Sequence, residues 1–63
     1  MLDNNTYNLM AQLTEENQSL WRFKNNYIPD AAHCQECKEF WEKMIKDKED
    51  HITELTKLLK KHI

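Results

Sequence analysis

The sequence lacks glycine altogether and contains a single proline, Pro29, among its 63 residues. Glycine-rich phosphate loops and dinucleotide-binding turns need glycine where the backbone approaches the phosphates, so the composition excludes both kinds of nucleotide site. No nucleophilic triad is recognisable, and an enzymatic role is therefore not the leading interpretation. The abundant residues are Lys, Glu, Leu and Asn, a composition typical of long helices and a poor one for β-hairpin turns.

Long apolar runs and an excess of one charge are also missing. No segment approaches the ~18 consecutive apolar residues of a membrane-spanning helix. Residues 1–11 lack the charged start and apolar run of a secretory signal. The formal net charge is -2, and the lysines of the second half alternate with acidic residues, so no basic field is available for nucleic acid. We therefore expect a cytoplasmic protein that binds neither membranes nor nucleic acid.

The first half of the chain has the apolar spacing of an amphipathic helix, with steps of three and four residues. The predicted helix covers about residues 3–28. Asp3, Asn4 and Asn5 are its candidate N-caps. Pro29 disfavours helical geometry at the residue before it and is predicted to end the helix.

The second half has the same spacing and predicts a helix over about residues 31–62, with Asp30 as its N-cap. The connection is so short that the two helices must be antiparallel neighbours. The predicted fold class is all-α, with an antiparallel two-helix hairpin as a single domain over residues 1–63.

Opposite positions in such a hairpin can be predicted by folding the chain about residue 32, which pairs residues whose numbers add up to 64. Phe23 then faces Trp41, and Glu16 faces Lys48, with His51 at the same level. A buried charge is costly unless it is paired. Glu16, Lys48 and His51 are therefore predicted to form a polar network that fixes register and partner choice.

Each helix carries a second row of apolar residues beside the first. The apolar face of the hairpin is therefore wider than a contact between two helices can cover. A domain this small also gains little from a core of its own. We therefore expect two copies to pair about a twofold axis into a homodimeric four-helix bundle, while docking to a different protein is the competing interpretation. The predicted dimer-interface residues are Met10, Trp21, Ile28, Ile45, Ile52 and Leu59.

Three stretches of the chain carry a resemblance to a known family: residues 13–16 (LTEE), 20–27 (LWRFKNNY) and 47–55 (DKEDHITEL). Together they resemble the helical hairpin of the rubrerythrin and ferritin-like superfamily. They look especially like its short members, such as the encapsulated ferritins, in which one hairpin is half of the bundle and dimerisation completes it.

The resemblance implies a di-iron centre built from a Glu on the first helix and a Glu-x-x-His on the second. Glu16 matches the first Glu and His51 matches the His, so these two are the candidate iron ligands. Lys48 occupies the position of the bridging Glu and puts a cation where the metal would be. We therefore expect the family's architecture without its di-iron site, and a di-iron oxidase or peroxidase of the rubrerythrin type is the alternative.

Cys34 and Cys37 are the only cysteines, and they lie one helical turn apart near the start of the second helix. With His33 they offer three candidate zinc ligands, whereas a structural zinc site needs four. Two hairpin tips would supply four thiolates, similar to the zinc hook of DNA-repair ATPases, although the proline usual between the hook cysteines is missing. That geometry excludes an antiparallel dimer unless tetramers form. Redox chemistry and two ordinary small side chains are the other interpretations.

The leading functional interpretation is a ferritin-like helical hairpin that acts as a homodimeric assembly or metal-binding module. Zinc is the first candidate cofactor and iron the second. The alternatives are the di-iron enzyme and an adaptor clasped by zinc through its CxxC motif.

Overall fold

The computed structural model describes residues 3–63, and this part of the chain is helical with no β-strand. Helix α1 covers Asn4–Arg22 and continues through a π-helical turn, Phe23–Tyr27, into a short α2, Ile28–Asp30. Helix α3 covers Gln35–His62 and packs along α1. The all-α hairpin is confirmed, while its pairing into a four-helix bundle stays a prediction. None of the helices in residues 3–63 is both long enough and apolar enough to cross a bilayer.

The N-terminus of α1 is capped by Asp3, one of the three predicted candidates. Its Oδ1 accepts the backbone N–H of Thr6 at 2.7 Å. This hydrogen bond is the main cause that lowers the pKa of Asp3. Thr6 itself is 2% exposed, which makes it the most deeply buried side chain of the described residues. The first turn of α1 is therefore held both by its cap and by packing.

The prediction that Pro29 ends the first helix is wrong, because the helix continues through it to Asp30. Proline inside an α-helix clashes with the carbonyl four residues earlier and leaves it without a donor. The backbone widens into the π turn immediately before Pro29, where the N–H of Ile28 reaches back five residues to the carbonyl of Phe23. The wider turn accommodates the proline ring, and the first helix continues without a break.

The prediction that Asp30 caps the second helix is also wrong, and Cys34 occupies that position. Asp30 is still helical, and residues 31–33 form the turn, with the N–H of Cys34 bonded to the carbonyl of Ala31. Cys34 has extended backbone (φ -132°, ψ 99°), and its sulfur accepts the N–H of Cys37 at 3.3 Å. The longer first helix moves the start of α3 to Gln35.

The aromatic side chains of the seam between the helices lie together near the turn. Phe23 is 6% exposed, and its ring centroid lies 5.1 Å from that of Trp41, as the predicted register requires. Tyr27 also packs against Trp41, with the rings tilted and their centroids 4.8 Å apart. Phe23 is the one hydrophobic residue among residues 3–63 that is classed as buried. The hairpin therefore has an aromatic cluster at one end and a partly covered apolar seam along the rest.

Candidate functional site

The polar centre of the hairpin consists of Glu16 and the three side chains around it. Glu16 is 5% exposed. Its Oε2 lies 3.0 Å from Nζ of Lys48, and its Oε1 lies 3.5 Å from Nδ1 of His51. Gln12, one turn earlier on α1, donates from Nε2 to Oε1 at 3.1 Å. The three residues predicted to form a polar network thus lie together, on opposing faces of α1 and α3.

Gln12 is the member of this centre that the sequence analysis missed. Its signal was the (i, i+4) spacing to Glu16, at which a helical Gln and an acidic residue can bond to each other. Such a spacing is common on wet helix faces. It gains meaning only once Glu16 is known to be buried.

The charge state of Glu16 follows from opposing effects. Burial by itself raises the pKa of this carboxyl group, but the ammonium of Lys48 at 3.0 Å, the hydrogen bond from Gln12 and the nearby His51 outweigh burial. The net pKa lies below its ordinary value of 4.5. Glu16 is therefore ionised at neutral pH and paired with the ammonium of Lys48. The Oε2 atom has that ion pair but no well-directed hydrogen bond.

The polar centre brings together both candidate iron ligands, Glu16 and His51, with Lys48 between the helices beside them. Glu16 and His51 line an open cleft between the helices, and Glu54 lines it as well. Glu49 instead points to another side of the hairpin and pairs with Lys24 at 3.7 Å. Within residues 3–63 no group of three or more His, Cys, Asp or Glu side chains is arranged to hold a metal ion. The chemistry that this centre offers in one chain is ion pairing.

The hairpin tip brings together the two cysteines. Both thiols are free and exposed. They line an open cleft of about 330 Å³ together with Asp30, Ala31 and the rings of Tyr27 and Trp41. His33, the third candidate zinc ligand, lies exposed in the turn and does not line this cleft. One chain therefore presents two thiols, side by side, against an aromatic wall.

The two thiols differ in acidity. The hydrogen bonds from the thiol and then the N–H of Cys37 lower the pKa of Cys34. The same hydrogen bond, in which Cys37 is the donor, raises the pKa of Cys37, and the charge of a Cys34 thiolate raises it further. Cys34 is thus the thiol that ionises first.

Most of the predicted interface residues lie on one side of the hairpin. Lys24 follows Trp21 by three residues on the first helix, and Glu49 lies between Ile45 and Ile52 on α3. Residues three and four apart share a helix face, so Trp21 lies on the side of Lys24, and Ile45 and Ile52 lie on the side of Glu49. Because Lys24 and Glu49 form an ion pair, these two sides are the same side of the hairpin. We call this side the Trp21 face and define it by Met10, Trp21, Ile45 and Ile52.

The residues of this side are covered to different extents. Trp21 is 60% exposed and Met10 42%, while Ile45 and Ile52 are half-buried. The other two predicted interface residues, Ile28 and Leu59, are half-buried as well. Leu59 lies about five turns after Trp41 and so faces the seam. Ile28 follows the π turn, whose extra residue rotates it toward α3.

Comparison with known proteins finds no family model, no curated protein and no solved structure that matches this chain. The resemblance to ferritin-like hairpins accordingly stays a prediction.

Proposed function

We propose that this protein is a self-associating structural module, in which two hairpins pair through their Trp21 faces to form a homodimeric four-helix bundle. The observation that carries the proposal is the large apolar surface that a single hairpin leaves uncovered. The occupant of that surface is a second copy of the same chain, and the twofold symmetry usual for such pairs lets one face serve both partners.

The exposed area supports this proposal quantitatively. The chain exposes 4997 Å². A compact monomer of 7.7 kDa exposes about 4,300 Å². The excess of about 700 Å² is close to the ~800 Å² that each partner buries in a standard protein interface. One hairpin thus lacks about as much burial as one dimer contact provides.

The Trp21 face is the better of the two sides for this contact. The opposite side also exposes Phe40 and Leu58, but it carries the exposed polar side chains of Gln12, His51 and Glu54, which a dimer contact would have to desolvate. The Trp21 face instead combines an exposed tryptophan with Met10 and two half-buried isoleucines. Tryptophans that become buried on association are the residues most enriched among strong interface contacts.

The polar centre has a supporting role in this assembly. Any slip of α1 along α3 would separate Glu16 from Lys48 and leave a buried carboxylate without its cation, which is costly. We propose that the ion pair fixes the register of each hairpin and thereby the shape of the face that it presents. In a ferritin-like bundle, which would pair the opposite sides of two hairpins, the ammonium of Lys48 would replace the charge of the metal.

The experiment is sedimentation velocity across protein concentrations, with Trp21→Glu compared with the matched variant Phe40→Glu. Phe40 is similarly exposed, at 53%. It lies on the opposite side, because it precedes Leu58 by about five turns. We expect the wild type and Phe40→Glu to be dimers. Trp21→Glu should raise the dissociation constant about thirtyfold or more, since a buried tryptophan contributes about 2 kcal/mol or more to such contacts.

Two outcomes would contradict the proposal. A wild-type chain that stays monomeric throughout the concentration range has no self-associating face. A Phe40→Glu variant that dissociates while Trp21→Glu remains dimeric would move the contact to the opposite side. Circular dichroism on the same samples shows whether each variant keeps its helices, and the milder Trp21→Ala variant replaces Trp21→Glu if the glutamate unfolds the hairpin.

A further inference from the structure

The tip of the hairpin carries chemistry that the proposed assembly does not use. Cys34 and Cys37 are exposed, and both line the same open cleft at the start of α3. The extended backbone of Cys34 folds its side chain over the first turn of α3, where the sulfur also accepts the N–H of Cys37 at 3.3 Å. Closing a disulfide between them therefore requires a small side-chain movement and no rearrangement of the helices.

We propose that Cys34 and Cys37 form a thiol–disulfide exchange site, in which Cys34 attacks a small-molecule disulfide and Cys37 resolves the product. This proposal goes beyond the assembly proposed above and needs one chain alone. The two can therefore fail separately.

The exchange proceeds in two balanced steps. The thiolate of Cys34 attacks one sulfur of the substrate disulfide, forms a mixed disulfide and releases the other half as a thiolate. Cys37 then loses its proton to water and attacks the Cys34 sulfur, which forms the intrachain disulfide and releases the second half. The protein dithiol is oxidised by two electrons, and the substrate disulfide is reduced to two thiols.

The position of each sulfur accounts for this division of roles. Cys34 sits at the N-terminus of a 28-residue helix, where the helix dipole and donated hydrogen bonds favour a thiolate. The lowered pKa of Cys34 and the raised pKa of Cys37 agree with that order. Cys37 keeps its proton until Cys34 has given up its negative charge to the mixed disulfide. It is thus suited to act second.

The cleft beside the thiols provides a place for the substrate. Tyr27 and Trp41 form an aromatic wall next to both sulfurs. A group attached to the disulfide can pack on these rings while its sulfur faces Cys34. Aromatic rings bury apolar surface without demanding a specific partner, which fits a small disulfide better than a metal ion.

The experiment uses glutathione disulfide as the probe and mass spectrometry as the readout. We expect the reduced wild type to lose two hydrogens without retaining glutathione. Cys37→Ser should accumulate a stable glutathione adduct at Cys34, because its resolving thiol is missing. Cys34→Ser should form its adduct about tenfold more slowly at neutral pH, since Cys37 does not occupy the N-cap position at which the Cys34 sulfur accepts a backbone N–H.

The Cys34→Ser variant is also the control for folding, because serine is a good N-cap and should keep the start of α3 in place. The fluorescence of Trp41, isolated in a Trp21→Phe background, provides a second readout, since a disulfide quenches a neighbouring indole. Three results would overturn the proposal. They are equal adduct rates at the two cysteines, adducts without an intrachain disulfide, and zinc uptake by the reduced chain that blocks its oxidation.

Discussion

Nζ of Lys48 lies 3.0 Å from Oε2 of Glu16, and the pair joins α1 to α3 near the middle of the hairpin. The Glu16 side chain is 7% exposed and that of Lys48 is 21% exposed. The cost of burying two charges offsets much of their attraction, so such a pair adds little net stability. Its value lies in the penalty for any arrangement that separates the two charges.

Removing one partner of this pair is expected to cost more than removing both. Lys48→Met leaves the buried carboxylate without its ammonium partner and should lower the free energy of unfolding by about 3 kcal/mol. The double variant Glu16→Leu, Lys48→Met removes both charges and should recover most of that loss. Urea denaturation at one fixed protein concentration measures both values, because self-association would otherwise shift the transitions. If the double variant were as unstable as Lys48→Met, an unpaired charge would not be the cause.

The stability of the hairpin should depend on pH through Glu16. The folded pKa of Glu16 lies below its ordinary value of 4.5. A carboxyl group with a lowered folded pKa contributes stability that is present above the ordinary value and is lost as pH falls through the folded pKa. We therefore expect the unfolding free energy to fall below about pH 4.5 in the wild type.

The variant Glu16→Gln isolates this contribution. Other carboxyl groups with a lowered pKa, such as Asp3, contribute equally to the pH dependence of the wild type and of the variant. The difference in stability between wild type and Glu16→Gln should shrink as pH falls from 7 to 3. Glu15→Gln, at the exposed neighbouring position, is the control. Wild-type and Glu16→Gln curves that stayed parallel over this range would show that Glu16 is not the group that titrates.

The capping of α1 gives a third expectation. Asp3→Ala removes the oxygen that accepts the Thr6 N–H, and loss of such a cap costs about 1 kcal/mol. Asp3→Asn keeps an acceptor and should cost less. Asn5→Ala, inside the helix, is the matched control. Thermal unfolding followed by circular dichroism measures all three, and equal losses for Asp3→Ala and Asn5→Ala would contradict the assigned cap.

The parts of the fold that the sequence predicted are those that depend on periodicity. The spacing of apolar residues in steps of three and four placed two helices, and folding about residue 32 placed Phe23 against Trp41 and Glu16 against Lys48. Both depend on side chains lying at regular angles on a long helix. They hold even when the helix ends are misplaced by several residues.

The parts that it did not predict depend on local backbone bonding near the turn. A proline usually marks a helix end, yet the π turn lets Pro29 remain inside the rod. Cysteine is an uncommon N-cap, and Asp30 is by residue type the stronger candidate. The N-cap is nevertheless the residue at which the helical backbone begins, and here that residue is Cys34. Gln12 was missed for a related reason, since its bond to Glu16 has meaning only when the burial of Glu16 is known.

The register of the polar centre also makes a prediction about iron. Lys48 lies beside Glu16 and within one turn of His51. The resemblance to ferritin-like hairpins predicts that this is the position of a bridging carboxylate. Lys48→Glu would place two carboxylates there, and their repulsion should destabilise the metal-free hairpin. A ferritin-like bundle would have to join two hairpins through the sides that carry this cleft, opposite the Trp21 faces, and would then offer four carboxylates and two imidazoles, the donor set of di-iron bundles.

Anaerobic titration with Fe(II), followed by calorimetry and by the rise in unfolding temperature, tests this prediction. In the ferritin-like arrangement, Lys48→Glu should bind a pair of iron ions per dimer and gain stability from them, because a ligand that binds only the folded state raises its stability. A dimer joined through the Trp21 faces keeps the two polar centres apart and predicts no paired iron site. Lys24→Glu makes the same charge change at the exposed ion pair with Glu49 and is the matched control. If Lys48→Glu bound iron no more tightly than Lys24→Glu, Lys48 would not stand at a bridging position, and the ferritin-like register would be wrong.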